Sequence, residues 1–354
     1  MNNKAKKFLF LYSELAGYML SCMKLLTELK PVEIEVICWP VNKEAPFSFV
    51  FPDKIKVHQK SEFTFEGLVK KVEAINPDVI YCSGWMDKDY TKICKRYKSK
   101  IPVITAFDNK WKGNFKQYIA SLVSPFTIKK YFSHCFVPGP QQYTYAQKLG
   151  FEKEKIFTGL YVADIDFFSK QYARTKKQKE VNFPKRFIYV GRYYAFKGLE
   201  DLWKAFEMLQ QEHPSEWELW CFGTGDLPHF QHPKVKHFGF VQTNDMAPFI
   251  EQTGVFVLPS RVEPWAVVVQ EYAAAGYPLI LSSEVGAASL FLEDKKNGFL
   301  FVKNNIDELK LALFNMTQLS DQDRVSMAEQ SALLANTITP QDWVSKIYSV
   351  LETN

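Results

Sequence analysis

The chain has 354 residues, of which 47% are hydrophobic and 23% charged; at roughly 100–200 residues per domain this predicts two globular domains and excludes disorder for the bulk of it. Apolar runs such as 255–260 and 277–283 are far shorter than the roughly 20 residues a membrane-spanning helix needs, so no span is expected. The basic start is not read as a secretory signal, because its apolar stretch ends at Glu14 without a cleavage site.

The formal charge of +5 is unevenly spread. Residues 1–170 carry 26 lysines and arginines against 17 acidic residues, and residues 171–354 carry 18 against 22. The front half is therefore expected either to face something anionic or to be a lysine-rich solvated surface. Six cysteines are scattered, never as C-x-x-C, which predicts reduced thiols and a cytoplasmic protein.

In chain order, short β-branched or aromatic runs alternate with amphipathic stretches: strands at 7–12, 33–39, 54–59, 78–84, 102–108, 133–139 and 155–160, with helices at 14–29, 64–75, 87–98, 114–123 and 140–149. The rhythm restarts with strands at 186–192, 217–223, 234–240, 255–260, 277–283 and 298–301 and helices at 198–212, 244–252 and about 265–275. Helices at 306–319 and 321–335 follow, and a last one is capped by Thr339 with Pro340 in its first turn. Buried, non-alternating strands separated by helices predict an α/β fold of two doubly wound, Rossmann-like parallel sheets. The predicted division is a first domain over 1–168, a polar lysine-rich linker over 169–184, a second domain over 185–338 and a terminal helix over 339–354 that packs back towards the first domain.

Open parallel sheets bind ligands beyond the carboxyl ends of their strands. The strand FIYVG runs into RYYAFKG, which places Arg192 and Lys197 past a strand end and before a helix. Two cations beside a helix N-terminus suit a diphosphate, although an exposed loop would also carry them. VFVLPS leads to RVEPWAVVVQEYAAAG. If its helix starts near Trp265, Glu263 lies at the helix mouth and Glu271 roughly two turns inside, among apolar residues that demand a partner for its carboxylate. Two carboxylates along one ligand can accept from sugar hydroxyls, while the amides of Ala266 and Val267 face phosphate. The turns CFGTGDLP and HFGFVQ bring Gly223 and the amides of Phe240 and Val241 to strand ends, where backbone can approach a ligand. Neither a dinucleotide fingerprint nor a P-loop occurs.

Taken together, VGRYYAFKG, FGTGD, GFV, PSRVEPWAVVVQEYAAAGYPLILSS and NGFLF resemble the donor half of glycosyltransferase family 4, the retaining enzymes of GT-B fold, with two domains facing across a cleft; the E-x7-E pair Glu263 and Glu271 is the most diagnostic piece. The resemblance covers about 185–302 strongly and the first half by architecture. It implies an acceptor-side first domain and a nucleotide-sugar-binding second domain. It implies Arg192 and Lys197 on the donor diphosphate and Glu263 on the sugar. Glu271 would contact the ribose, and Gly191, Gly223, Phe240, Val241, Trp265, Ala266 and Val267 would line the donor site. The chain shows Glu263-Pro264-Trp265-Ala266 where the family usually has E-P-F-G, and keeps Gly286 in the sugar-facing loop. In the first half, SELAGYM leaves Gly17, with Glu14, for the glycine-rich loop, and Asp108 stands where many relatives have a histidine; it is read either as a polar group near the reacting centre or as a helix-capping or turn aspartate.

The reading that results is a hexosyl transfer, with retention, from a UDP- or GDP-sugar to a saccharide hydroxyl, the acceptor being free or lipid-linked, in surface polysaccharide or glycan assembly. The resemblance suggests a front-face mechanism in which the leaving phosphate helps to deprotonate the acceptor. No cofactor and no metal are expected. A nucleotide-sugar epimerase or phosphorylase, and a silent nucleotide-sugar-binding module, are the rival readings.

Asp87-x-Asp89 is read as a helix start rather than a metal site, and His229, His232 and His237 as a surface turn. The basic and aromatic segments 92–100 and 110–116 fit an anionic membrane surface, at the inner face of the plasma membrane, better than nucleic acid.

Overall fold

The computed structural model describes residues 5–40 and 48–352. The short ends and the segment 41–47, all within the predicted domains, lie outside the described residues. The chain divides into two compact units, Met1–Val162 with Ile338–Asn354, and Ala163–Thr337.

The first unit is a seven-stranded parallel sheet. Its strands are β1 (Lys6–Tyr12), β2 (Val32–Cys38), β3 (Ile55–Gln59), β4 (Val79–Cys82), β5 (Val103–Ala106), β6 (His134–Val137) and β7 (Ile156–Thr158), in the order β3-β2-β1-β4-β5-β6-β7. Phe8 to Leu11 and the whole of β4, β5 and β6 are buried, as uninterrupted apolar strands covered on both faces must be. The terminal helix Pro340–Ser349 closes this unit. Trp343 stacks on Phe10 and Phe136, with ring centroids 6.5 and 6.1 Å apart, and Lys346 Nζ donates to the Thr158 carbonyl at 2.8 Å.

The second unit is a six-stranded parallel sheet of β8 (Arg186–Val190), β9 (Glu218–Phe222), β10 (Val235–His237), β11 (Val255–Leu258), β12 (Leu279–Ser282) and β13 (Gly298–Phe301), in the order β10-β9-β8-β11-β12-β13. Both sheets therefore have one place where consecutive connections leave in opposite directions, between β1 and β4 in the first and between β8 and β11 in the second.

Two local expectations are corrected. The segment 169–184 is not an open linker: it forms most of the helix Ile165–Val181, started by the Asp164 carboxylate accepting from Phe167 N at 3.2 Å and burying Phe168, Gln171, Thr175 and Lys179. Its polar composition disguised one inward-facing stripe. The helix expected from Trp265 begins at Val267, because Ala266 adopts φ 81° and ψ 91°, which no right-handed helix accommodates. Pro264 consequently belongs to the loop, and Glu271 stands little more than one turn inside.

Candidate functional site

In the second unit the loops after β8 and β11 leave adjacent strand ends at the switch point, and they are zipped together by backbone. Arg261 N and Val262 N donate to the Phe196 carbonyl at 2.8 and 3.2 Å. Arg261 then grips Asp201, at the start of the helix Leu199–Glu212, through two parallel hydrogen bonds of 2.8 and 2.6 Å. Gly198 sits at φ 68°, and a Cβ there would lie 2.2 Å from the Pro259 carbonyl oxygen, so the two loops can close only around a glycine. The result is that Lys197 Nζ donates to Glu263 Oε2, although the two residues are 66 positions apart. Ser260 Oγ donates to the same oxygen at 3.3 Å.

The loop after β12 braces this arrangement. Gly286 N donates to the Glu263 carbonyl at 3.1 Å and Ala287 N to the Trp265 carbonyl at 3.0 Å. The Trp265 side chain is only 2% exposed and meets Phe291 edge-on. Beyond it, Ala266 and Val267 open the helix Val267–Ala274; Val269 N donates to the Ala266 carbonyl at 3.2 Å, and the amides of Val267 and Val268 precede any carbonyl the helix could offer them. Burial, with the Asp164 carboxylate adding to it, pushes the Glu271 carboxyl up to about 7.

Arg192 lies half-buried just past β8, its carbonyl accepting from Tyr189 Oη at 2.9 Å. Its neighbours tie the loop after β9 to the one after β8: Tyr193 N donates to the Thr224 carbonyl at 2.8 Å and Gly191 N to the Phe222 carbonyl at 3.0 Å. Gly223, at φ 124°, would drive a Cβ to 1.9 Å from the Gly191 carbonyl oxygen. Phe240 and Val241 are half-buried and follow the edge strand β10, two strands from β8. Lys197, Glu263, Gly191 and Gly223 are thus gathered by backbone contacts, whereas Phe240 and Val241 are held at the sheet's margin.

The first unit has its own cavity, of about 290 Å³, at the carboxyl ends of β1, β4 and β5. Asp108 and Glu14 line it together with Tyr18, Tyr81, Trp85 and Tyr161. Asp108 caps no helix; its carbonyl accepts from Gln142 Nε2 at 3.1 Å, and its carboxylate adds to burial in holding the Tyr161 phenol far above its ordinary pKa. Gly17 opens the helix Gly17–Leu29, with Phe49 3.8 Å from where its Cβ would be. The aromatic walls went unnoticed in the sequence because Tyr18, the pair Tyr81 and Trp85, and Tyr161 come from three separate segments with no shared motif.

The other metal-like patterns are structural. Asp87 caps the helix Lys88–Tyr97 by accepting from Asp89 N and Tyr90 N at 2.9 and 3.1 Å, and also accepts from Lys60 Nζ at 2.6 Å. His229 and His237 stack at 4.4 Å, and His237 Nδ1 is 2.9 Å from Tyr193 Oη.

Two parallel doubly wound sheets, with a cation–carboxylate site at the second switch point, define a protein of the GT-B class. The fold agrees: the Anabaena protein HepE, solved in complex with UDP-glucose, superposes with a TM-score of 0.71 at 16% identity, covering 98% of this chain and 100% of that one. Sucrose-phosphate synthase of Thermosynechococcus elongatus superposes with a TM-score of 0.69, also at 16% identity, over 99% and 98% of the two chains. Residues 184–318 match the family described as glycosyl transferases group 1. An uncharacterized glycosyltransferase of Haemophilus influenzae is 29% identical over 159 residues, 40% of this chain and 44% of that protein. The chain thus matches less than half the length of this curated relative.

Proposed function

We propose that the protein is a retaining glycosyltransferase that moves a hexosyl group from a nucleoside-diphosphate sugar, with UDP as the first candidate, to a saccharide hydroxyl. The observation that supports this most is the meeting of Lys197 and Glu263 at the β8–β11 switch point, beside the first-turn amides of the helix that carries Glu271. A departing diphosphate needs positive charge fixed in advance, and Lys197, Arg192 and the helix-end amides supply it. Donor binding would draw Lys197 to the phosphates and free Glu263 to accept from sugar hydroxyls, while Glu271 accepts from the ribose. Departure of the diphosphate leaves an oxocarbenium-like centre. In a front-face reaction the leaving phosphate oxygen takes the acceptor's proton on the side from which the acceptor attacks, so configuration is retained and no carboxylate nucleophile is called for.

HepE is solved in complex with UDP-glucose, which supports starting with UDP-hexoses. The acceptor is a saccharide, free or carried on a lipid, in surface polysaccharide or glycan assembly; the basic first half supports peripheral association with an anionic membrane from the cytoplasmic side. Cationic side chains at the diphosphate make the reaction independent of metal. Thermal shift with UDP-, GDP- and ADP-sugars, each with and without EDTA, tests the reading. Stabilisation by a UDP- or GDP-hexose, unchanged by EDTA, is expected. No stabilisation by any of the three classes overturns it.

A further inference from the structure

The helix Phe115–Val123, in the first unit, reverses the usual amphipathic arrangement. Its large apolar side chains recur at Phe115, Tyr118, Ile119, Leu122 and Val123, the i, i+3, i+4, i+7, i+8 spacing that normally packs onto a core. None of the helix is buried. Phe115 and Leu122 are 78% and 77% exposed, and Phe126, in the turn beyond, is 78% exposed. The half-buried face is the small and polar one, Gln117, Ala120 and Ser121. It is held by Gln117, whose Nε2 donates to the Lys110 carbonyl at 2.8 Å and whose Oε1 accepts from Lys112 N at 2.6 Å.

The charge around this stripe is of one sign. Between Asp108 and Glu152 the chain contains six lysines and not one aspartate or glutamate. Lys112, Lys116 and Lys130, which bracket the stripe, are exposed. An exposed apolar patch marks an interaction site, and here its partner must tolerate a ring of lysines. A second copy related by a two-fold axis would set these lysines against their own copies. A bilayer carrying anionic headgroups satisfies both halves of the surface: aromatic and aliphatic side chains enter the boundary between headgroups and acyl chains while lysine ammoniums stay among the phosphates.

We propose that the Phe115–Phe126 face is a docking surface for an anionic lipid bilayer. This deepens the peripheral association argued above and is independent of the transfer chemistry. Because every side chain to be changed is exposed, the variants retain the fold.

The full chain is sedimented with vesicles of phosphatidylcholine alone and with vesicles containing one third phosphatidylglycerol. The variants are Phe115→Ser/Leu122→Ser/Phe126→Ser and Lys112→Glu/Lys116→Glu. The wild type should partition onto the anionic vesicles about tenfold or more better than onto the neutral ones. Each variant should lose about tenfold or more of that binding, and high salt should weaken the wild type. Wild type and variants pelleting alike, or no pelleting of the wild type, overturns the proposal. So does a wild-type dimer that the triple serine variant abolishes without any vesicle binding, which would give the face to a second copy. Donor-induced thermal stabilisation, read on the same proteins, reports on the second unit alone: its absence throughout would count against the donor reading and leave the vesicle result standing.

Discussion

At the switch point of the second sheet the loops after β8 and β11 bring a lysine onto a glutamate beside a helix N-terminus, and they do so through glycines that let backbone press on backbone. At the switch point of the first sheet the loops after β1 and β4, joined by the one after β5, surround a cavity walled by tyrosines and a tryptophan, with two carboxylates and, among the described residues, no lysine, arginine or histidine in its lining. The scaffold is the same and the chemistry is opposite. One place suits a group that carries negative phosphate, and the other a neutral, hydroxyl-bearing ring that can lie on an aromatic face and donate to carboxylates. A doubly wound sheet determines where a ligand can bind; the loop residues determine which.

The comparison breaks most visibly if the cations of the second unit are dispensable. Lys197→Ala and Arg192→Ala should each lower turnover with a UDP-hexose by about a hundredfold or more, as loss of a preorganised charge-stabilising contact does; near-normal steady-state rates in both would end the clamp. Gly198→Ala comes next. It must move the Pro259 carbonyl and adopt a positive φ, so it should cost about 2 kcal/mol or more in chemical denaturation and misalign Lys197 with Glu263.

For the first unit, Asp108→Asn should raise the acceptor KM by about tenfold, some 1.4 kcal/mol, while leaving donor-induced stabilisation unchanged. A diminished donor shift in that variant would show that the two chemistries are not divided between the units as argued.

Glu271 sharpens the donor side through pH. Its carboxyl titrates at about 7 in the folded protein, against an ordinary value of 4.5. Between those values the unfolded chain has released a proton that the folded one keeps. Stability from this group therefore falls as pH rises from 4.5 to 7 and is level above and below. Glu271→Gln should flatten that slope in thermal melts. In the wild type, the donor-induced shift should grow through pH 7, as the carboxylate becomes a full acceptor for ribose hydroxyls. The smallest effect is expected at Ala266, where a methyl-bearing residue sits at φ 81°: Ala266→Gly should stabilise the protein by about 1 kcal/mol in chemical denaturation.

Much of this was readable along the chain because it depends on near neighbours. Strand and helix order followed from periodicity, and Thr339 was recognisable as a cap because the capping box is a matter of four residues. The residue types of the candidate donor site stood out for the same reason: Arg192, Lys197, Glu263 and Glu271 all follow strand-like runs. Other features depend on what a segment meets in space. The polar stretch 169–184 became a helix because one of its faces found a core. The apolar stripe of 115–123 would pass for core by spacing alone, and only the tertiary structure turns it outward. The union of Lys197 with Glu263 was decided by strand order, which sets β8 beside β11, and by the Gly198–Pro259 contact, neither of which any local pattern encodes. Sequence by itself determined which chemical groups are present and which elements carry them, since those choices are governed by local propensity. Tertiary structure decided which groups meet, which are desolvated and which remain exposed, because charge pairing and burial are properties of three-dimensional neighbourhoods.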